Sequence, residues 1–151
     1  MDVKRANGTA KSIVCLGTLA RAEGLASAQI ARVLREHDLS RTAYNALTIL
    51  GQAGRPLGPR ELAEQLLVSA GAVTQLLDLL ERQGRIERRP HRSDRRMSQV
   101  ELTVAGRRVL ARAEPAVAAA TDRTLAGLNS AEQQKLMQLL QKLEQHVQTL
   151  E

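Results

Sequence analysis

The sequence is nearly without aromatic rings. Tyr44 is its one tyrosine, and phenylalanine and tryptophan are absent from all 151 residues. A core made from such a chain must use leucine, isoleucine, valine and alanine, side chains that suit closely packed helices. The same lack argues against a single-stranded nucleic-acid binder of the kind that stacks bases on rings. Cysteine is equally scarce. Cys15 alone cannot build an intrachain disulfide framework, so a reducing, cytoplasmic setting is expected. No run is long and apolar enough to span a bilayer, and the polar start MDVKRANGTAK has no signal-peptide stretch. His37, His91 and His146 lie far apart, without metal-ligand spacing. The glycines of GQAGRPLG, residues 51–58, lack phosphate-loop spacing, and no nucleophile motif is present. No cofactor, no metal and no enzymatic activity are therefore expected.

What the chain does have is positive charge. Lysine and arginine number 22 against 16 acidic residues, for a formal net charge of +6. That balance fits a polyanionic partner. The length fits a single domain, 1–151, with a real core.

The most informative stretch is Ser69 to Thr103. Val73, Leu76, Leu77 and Leu80 recur at helical spacing and define one buried face. Ser69 stands before them as N-cap and Gly84 after them as C-cap. The first turn is small, Ala70-Gly71-Ala72, and the other face carries Thr74, Gln75, Asp78 and Arg82. A bare helix start permits close approach and favours an anion at its free N–H groups; it also serves plain helix packing. Next, Ile86 alternates with Arg85, Glu87 and Arg88, and Val100 and Leu102 alternate with Gln99 and Glu101, as in two half-exposed strands. Pro90 to Arg96 between them is polar and turn-rich, which puts Arg92, Arg95 and Arg96 on a projecting tip. A helix followed by a basic hairpin can hold a duplex, the helix in the major groove and the arginines on phosphates or in the minor groove.

These residues resemble the winged helix-turn-helix core of the MarR family of bacterial transcription regulators. The resemblance rests on Leu62-Ala63, Val68-Ser69, Val73-Thr74, Asp78, Leu80-Glu81, Gly84, Arg88-Arg89, Asp94-Arg95-Arg96, and Leu102-Thr103 followed by Gly106. With the flanking helices it extends from about residue 10 to the end. It implies a mainly α fold with a small β-hairpin wing. The DNA-binding lobe would span 40–103, and residues 10–37 and 105–151 would supply dimerisation helices.

The flanks fit that arrangement. Residues 10–37 read as a long helix with an apolar stripe, Ile13, Leu16, Leu19 and Ala20, then Ile30, Val33 and Leu34. Ser40 caps a helix to Gln52 burying Tyr44, Leu47 and Leu50; Gly51 to Gly58 reads as a loop; Pro59 opens a short helix to Leu67. Thr103 caps a helix with Val104, Val109 and Leu110 buried and a kink at Pro115. Ser130 to Gln133 reads as a capping box. Leu136, Leu140, Leu143, Val147 and Leu150 then form a seam, for the chain's own core or for a second subunit.

For two paired copies, symmetry requires a near-palindromic double-stranded site with half-sites about 10 base pairs apart. Gly71, Ala72, Thr74 and Gln75 are the candidates for base contact, and Ser69 with the helix start for a phosphate. By resemblance, Arg95 or its neighbour enters the minor groove while Arg88 and Arg92 follow the backbone. Asp78 is expected to pair with a wing arginine, Arg96 foremost, and fix the wing's angle. The resemblance further implies a repressor released by a small-molecule effector. The LLVSAGAVT stretch is similar to the urate-responsive branch, but that branch relies on a tryptophan this chain lacks. Peroxide-sensing members carry a reactive cysteine in the first helix; Cys15 admits that role or that of a buried, inert thiol. The remaining alternative is a nonspecific nucleic-acid-binding protein.

Overall fold

The computed structural model describes residues 3–90 and 98–150, with side chains described from residue 10 onward. The elements run α1 (Val3–Arg35), α2 (Arg41–Ala53), α3 (Pro59–Leu66), α4 (Ala70–Arg82), β1 (Ile86–Pro90), β2 (Ser98–Leu102), α5 (Val104–Leu125) and α6 (Ser130–Gln148). The fold is mainly helical with a two-stranded antiparallel wing, and α1 packs along α5.

Local chemistry sets most of the boundaries. Ser40 accepts from the Ala43 N–H at 3.1 Å, Ser69 from the Ala72 N–H at 3.2 Å, and Thr103 from the Gly106 N–H at 3.0 Å. Each hydroxyl satisfies an N–H that the first helical turn leaves open. Gly84, at φ 66°, takes the chain out of α4 in the left-handed conformation that glycine enters without strain. In the wing Ile86 faces Leu102 and Arg88 faces Val100.

Several boundaries differ from the sequence reading. Helix α1 starts at Val3, ahead of residue 10, and runs through Asn7-Gly8. It ends at Arg35, where Asp38 turns to φ 55° and the Leu39 N–H returns to the Leu34 carbonyl at 3.0 Å. Helix α2 absorbs Gly51 and ends at Gly54, so the expected loop shrinks. Within that loop Leu57 pairs with Val100 through N–H···O bonds of 3.0 and 2.8 Å, adding a single rung to the base of the wing. Val104, expected inside, is 60% exposed; the buried residue of that first turn is Gly106. Helix α5 runs continuously through the exposed Pro115. The capping box of α6 begins one residue early. The Asn129 side chain accepts from the Glu132 N–H at 3.0 Å, and Glu132 accepts from the Asn129 N–H at 2.8 Å.

The core lies in the lobe. Leu47, Leu62, Val73, Leu77, Leu80, Ile86 and Val100 are buried there, joined by Leu34 from the end of α1 and Leu110 and Ala113 from α5. Helix α6 buries no residue at all. Gly106 is where α5 meets the α4–β1 corner most closely. A Cβ built there would stand 2.0 Å from the Arg85 carbonyl oxygen, a backbone atom with no freedom to swing aside. Gly106→Ala should therefore destabilise the fold: overpacking of about 1–3 kcal/mol outweighs a helix-propensity gain of about 1 kcal/mol. A urea titration read by circular dichroism checks this, with a lower midpoint expected.

Candidate nucleic-acid interface

Helices α3 and α4 form a helix-turn-helix. Leu67 makes the turn at φ 55°, a conformation that costs a non-glycine residue on the order of 1–3 kcal/mol. Its side chain is 89% exposed, so burial gives nothing back. Val68 turns inward, and Ser69 then opens α4.

Helix α4 is strongly two-faced. Val73, Leu77 and Leu80 are buried, whereas Ser69, Ala70, Gly71, Ala72, Thr74 and Gln75 are all exposed. These six, the part of the expected DNA-contacting set that lies at α4, thus share its free end and side. Apart from the helix's own backbone, none of the described residues lies within 4 Å of where a Cβ on Gly71 would stand, so that glycine leaves open space rather than filling a packing contact. The Thr74 hydroxyl donates back to the Ala70 carbonyl at 2.9 Å, which leaves its methyl group as the outward feature.

Among the described residues Asp78 pairs with Arg88 of β1. An Arg88 Nη2–H donates to Asp78 Oδ1 at 2.6 Å. The same guanidinium stands 3.6 Å from Glu81, and Glu81 also accepts from the Arg88 backbone N–H at 3.3 Å. Arg88 was expected along a phosphate backbone; here two carboxylates of α4 hold it, and its buried Nε has no hydrogen-bond partner among the described residues. The anchor explains itself by register. Arg88 sits on β1 just beyond the helix end, and its reach back along α4 matches Asp78 and Glu81, one turn apart. Arg96, the partner expected for Asp78, and Arg92 and Arg95 lie outside the described residues. Further along, Arg89 bridges to Glu101 across the ribbon at 2.9 Å.

One buried charge escaped the sequence reading. Arg85, taken as an outward strand residue, is 8% exposed, and its Nη1–H donates to the Asp38 carbonyl at 2.8 Å. Spacing could not find it, because the left-handed Gly84 resets the alternation just before it. At the lobe's other edge Arg55 bonds to Glu61, and that bond, more than simple charge attraction, draws the Glu61 carboxyl below the ordinary carboxylate range. A depressed carboxylate stabilises the folded state above its unfolded titration range, and the contribution fades as the pH falls through the folded one.

Away from the lobe, Leu16, Leu136, Leu140, Leu143, Val147 and Leu150 are exposed, and Leu19 is half-buried. The seam does not fold back onto the chain's own core. Cys15 is exposed on α1, which overturns the reading of a buried thiol within the single chain. Between α1, α5 and α6 lies a cleft of about 1230 Å³, lined by leucines and alanines with Arg32 and Arg123 among them. Among the described residues no helix is long and apolar enough to cross a membrane, and no group of three His, Cys, Asp or Glu gathers for a metal.

Comparison with known proteins agrees with this geometry. A sequence profile of the MarR family matches residues 37–97. The uncharacterized HTH-type transcriptional regulator YkoM of Bacillus subtilis (strain 168) is 33% identical over 131 residues, covering 87% of this chain and 84% of that one. A mutant MarR of Escherichia coli complexed with operator DNA superposes with a TM-score of 0.80 at 26% identity, over 87% of this chain and 95% of its own. CouR of Rhodococcus jostii RHA1, bound to p-coumaroyl-CoA, gives 0.75 at 25% identity, over 83% and 88%. The chain belongs to the MarR family, whose members are DNA-binding transcription regulators and not enzymes.

Proposed function

We propose that the protein is a cytoplasmic, homodimeric repressor that binds a near-palindromic double-stranded operator and is released by a small-molecule effector. The observation that carries the reading is the exposed Ser69-Ala70-Gly71-Ala72 tip of α4, with Thr74 and Gln75 on the same free side. In this reading residues 40–103 form the DNA-binding lobe, and 10–37 with 105–151 the dimerisation arm. Gly71, Ala72, Thr74 and Gln75 meet base edges: the Gln75 amide suits adenine and the Thr74 methyl a thymine methyl. Ser69 and the first α4 N–H groups hold a phosphate. Arg92, Arg95 and Arg96 take the backbone and the minor groove. Arg88 moves from contact to support, fixing the wing against α4 together with Asp78.

Dimerisation is supported by the exposed seam of α6 and by its placement beside the exposed apolar side of α1. The volume of the cleft points the same way. At about 1230 Å³ it is an open cleft whose leucines stay at least partly uncovered in the single chain, as a surface for a second subunit or an effector would be. Arg32 and Arg123 at its lining suit an effector with an apolar body and an anionic group, because the one carboxylate there, Glu23, is already paired with Arg41. The ligand-bound relative supports an effector of some kind and leaves its identity to this chain's own cleft.

Selection of bound sites from random duplex tests the reading. It should return a near-palindrome preferred over random DNA by a factor on the order of a thousand or more. No enrichment would reduce the protein to a nonspecific binder. On the selected site, neutralising about eight phosphates should make log K fall with log salt at a slope of roughly −7. Asp78→Ala removes a negative charge near DNA yet should weaken operator binding roughly three- to tenfold, because it frees Arg88 and the wing. Equal or tighter binding in a gel-shift titration would reject the supporting role of the pair.

A further inference from the structure

The lobe and the α1/α5 arm are joined by two covalent crossings, the turn at 36–40 between α1 and α2 and the step from β2 into α5 at Thr103. Arg85 is bonded to both. Its Nη1–H donates to the Asp38 carbonyl at 2.8 Å in the first crossing. Its own carbonyl accepts from the Thr103 N–H at 3.1 Å in the second. Its N–H closes α4 by donating to the Leu80 carbonyl at 2.9 Å. The corner is tightened further by the Thr103 hydroxyl, which donates to the Gly84 carbonyl at 2.6 Å, and by Gly106, whose missing Cβ lets α5 rest on Arg85.

Arg85 is 8% exposed, and a guanidinium drawn that far inward is costly unless its donors find acceptors or water. A leucine or methionine could fill the same space without that cost. What the arginine adds is direction: a charge-assisted hydrogen bond to a carbonyl holds a geometry that apolar contact leaves free to slide. The carbonyl belongs to the turn that ends α1, where the helix dipole also favours a cation. Asp38 is itself held at φ 55°, and Leu39 just after it is buried in the lobe core, so the acceptor has little freedom to follow a moving arm.

We propose that Arg85 is a positioning residue that sets the angle between the α4–wing lobe and the α1/α5 arm. In the dimer, which the proposal takes from the reading above, that angle fixes the distance between the two α4 tips. It thereby fixes how strictly the protein measures the spacing of operator half-sites. Arg85 touches no DNA in this scheme; it acts through the pivot.

The test uses the full-length protein and the selected operator, with its spacer lengthened or shortened by single base pairs. Each step displaces one half-site by about 3.4 Å and turns it by about 35°. The wild type should lose about tenfold or more in affinity at one base pair from the optimum. Arg85→Met keeps the aliphatic stem and removes the donors. It should bind the best spacer within a few-fold of wild type but discriminate against its neighbours by less than about threefold. Arg85→Lys restores a cationic donor and should recover the discrimination. Asp38→Gly keeps the accepting carbonyl and suits the positive φ, so it should leave discrimination intact. If Arg85→Met does not fold, as judged by circular dichroism, Arg85→Leu, which also lacks a donor, is read in its place. Wild-type discrimination in the donor-deleted variant would overturn the role of Arg85. A wild type indifferent to spacing would instead overturn the dimeric reading beneath it, so the two failures are separable.

Discussion

Burial of one face of α4 governs what its other face can do. Val73, Leu77 and Leu80 lie in a core of aliphatic side chains drawn from α1, α2, α3, β1, β2 and α5. Apolar burial of this kind is worth roughly 1.5–3 kcal/mol per large side chain, more than any exposed pair on this surface can supply. The helix is held by its back, so its front needs no internal partner. Small residues at Ala70, Gly71 and Ala72 are then affordable, and they leave the helix tip open to another molecule. The near absence of aromatic rings helps, because thin aliphatic side chains let the six elements close around a short helix.

The arginines of the lobe divide by what neutralises them. Arg88 is claimed by Asp78 and Glu81, and Arg89 by Glu87 and Glu101. Arg85 has gone inward to a carbonyl. A run of positive charge in the sequence therefore does not translate into an equal run of free cations facing a polyanion. Part of it is internal bracing, which sets the wing and the arm at fixed angles to α4.

This division marks the limit of what the sequence discloses. Helix α4, its Ser69 cap, the half-exposed alternation around Ile86 and Val100, and the leucine period of α6 were legible because each has a strong period or a capping residue with a single mechanism. The interior role of Arg85 was not. Alternation assigns it to solvent, and only the approach of two distant chain segments, at Asp38 and Thr103, gives it partners. The pairing of Arg88 with Asp78 and Glu81 was hidden for the same reason: it depends on how β1 returns along α4, which no local pattern encodes. Val104 and Gly106 exchanged roles because a close backbone contact, invisible to hydropathy, put the glycine inside. The bridge of Leu57 to Val100 escaped notice because a single rung has no period.

Helix α6 is completed by local bonds alone. Its first turn is closed reciprocally by Asn129 and Glu132, and the Gln133 amide donates to the Leu125 and Leu128 carbonyls at the frayed end of α5. The helix thus reaches full length with its leucine row still bare. Two such rods can dock without first having to coil, which spares the encounter the ordering entropy that a disordered tail would lose. A seam of that kind would convert more of its apolar contact into affinity, because less is lost to ordering the chain.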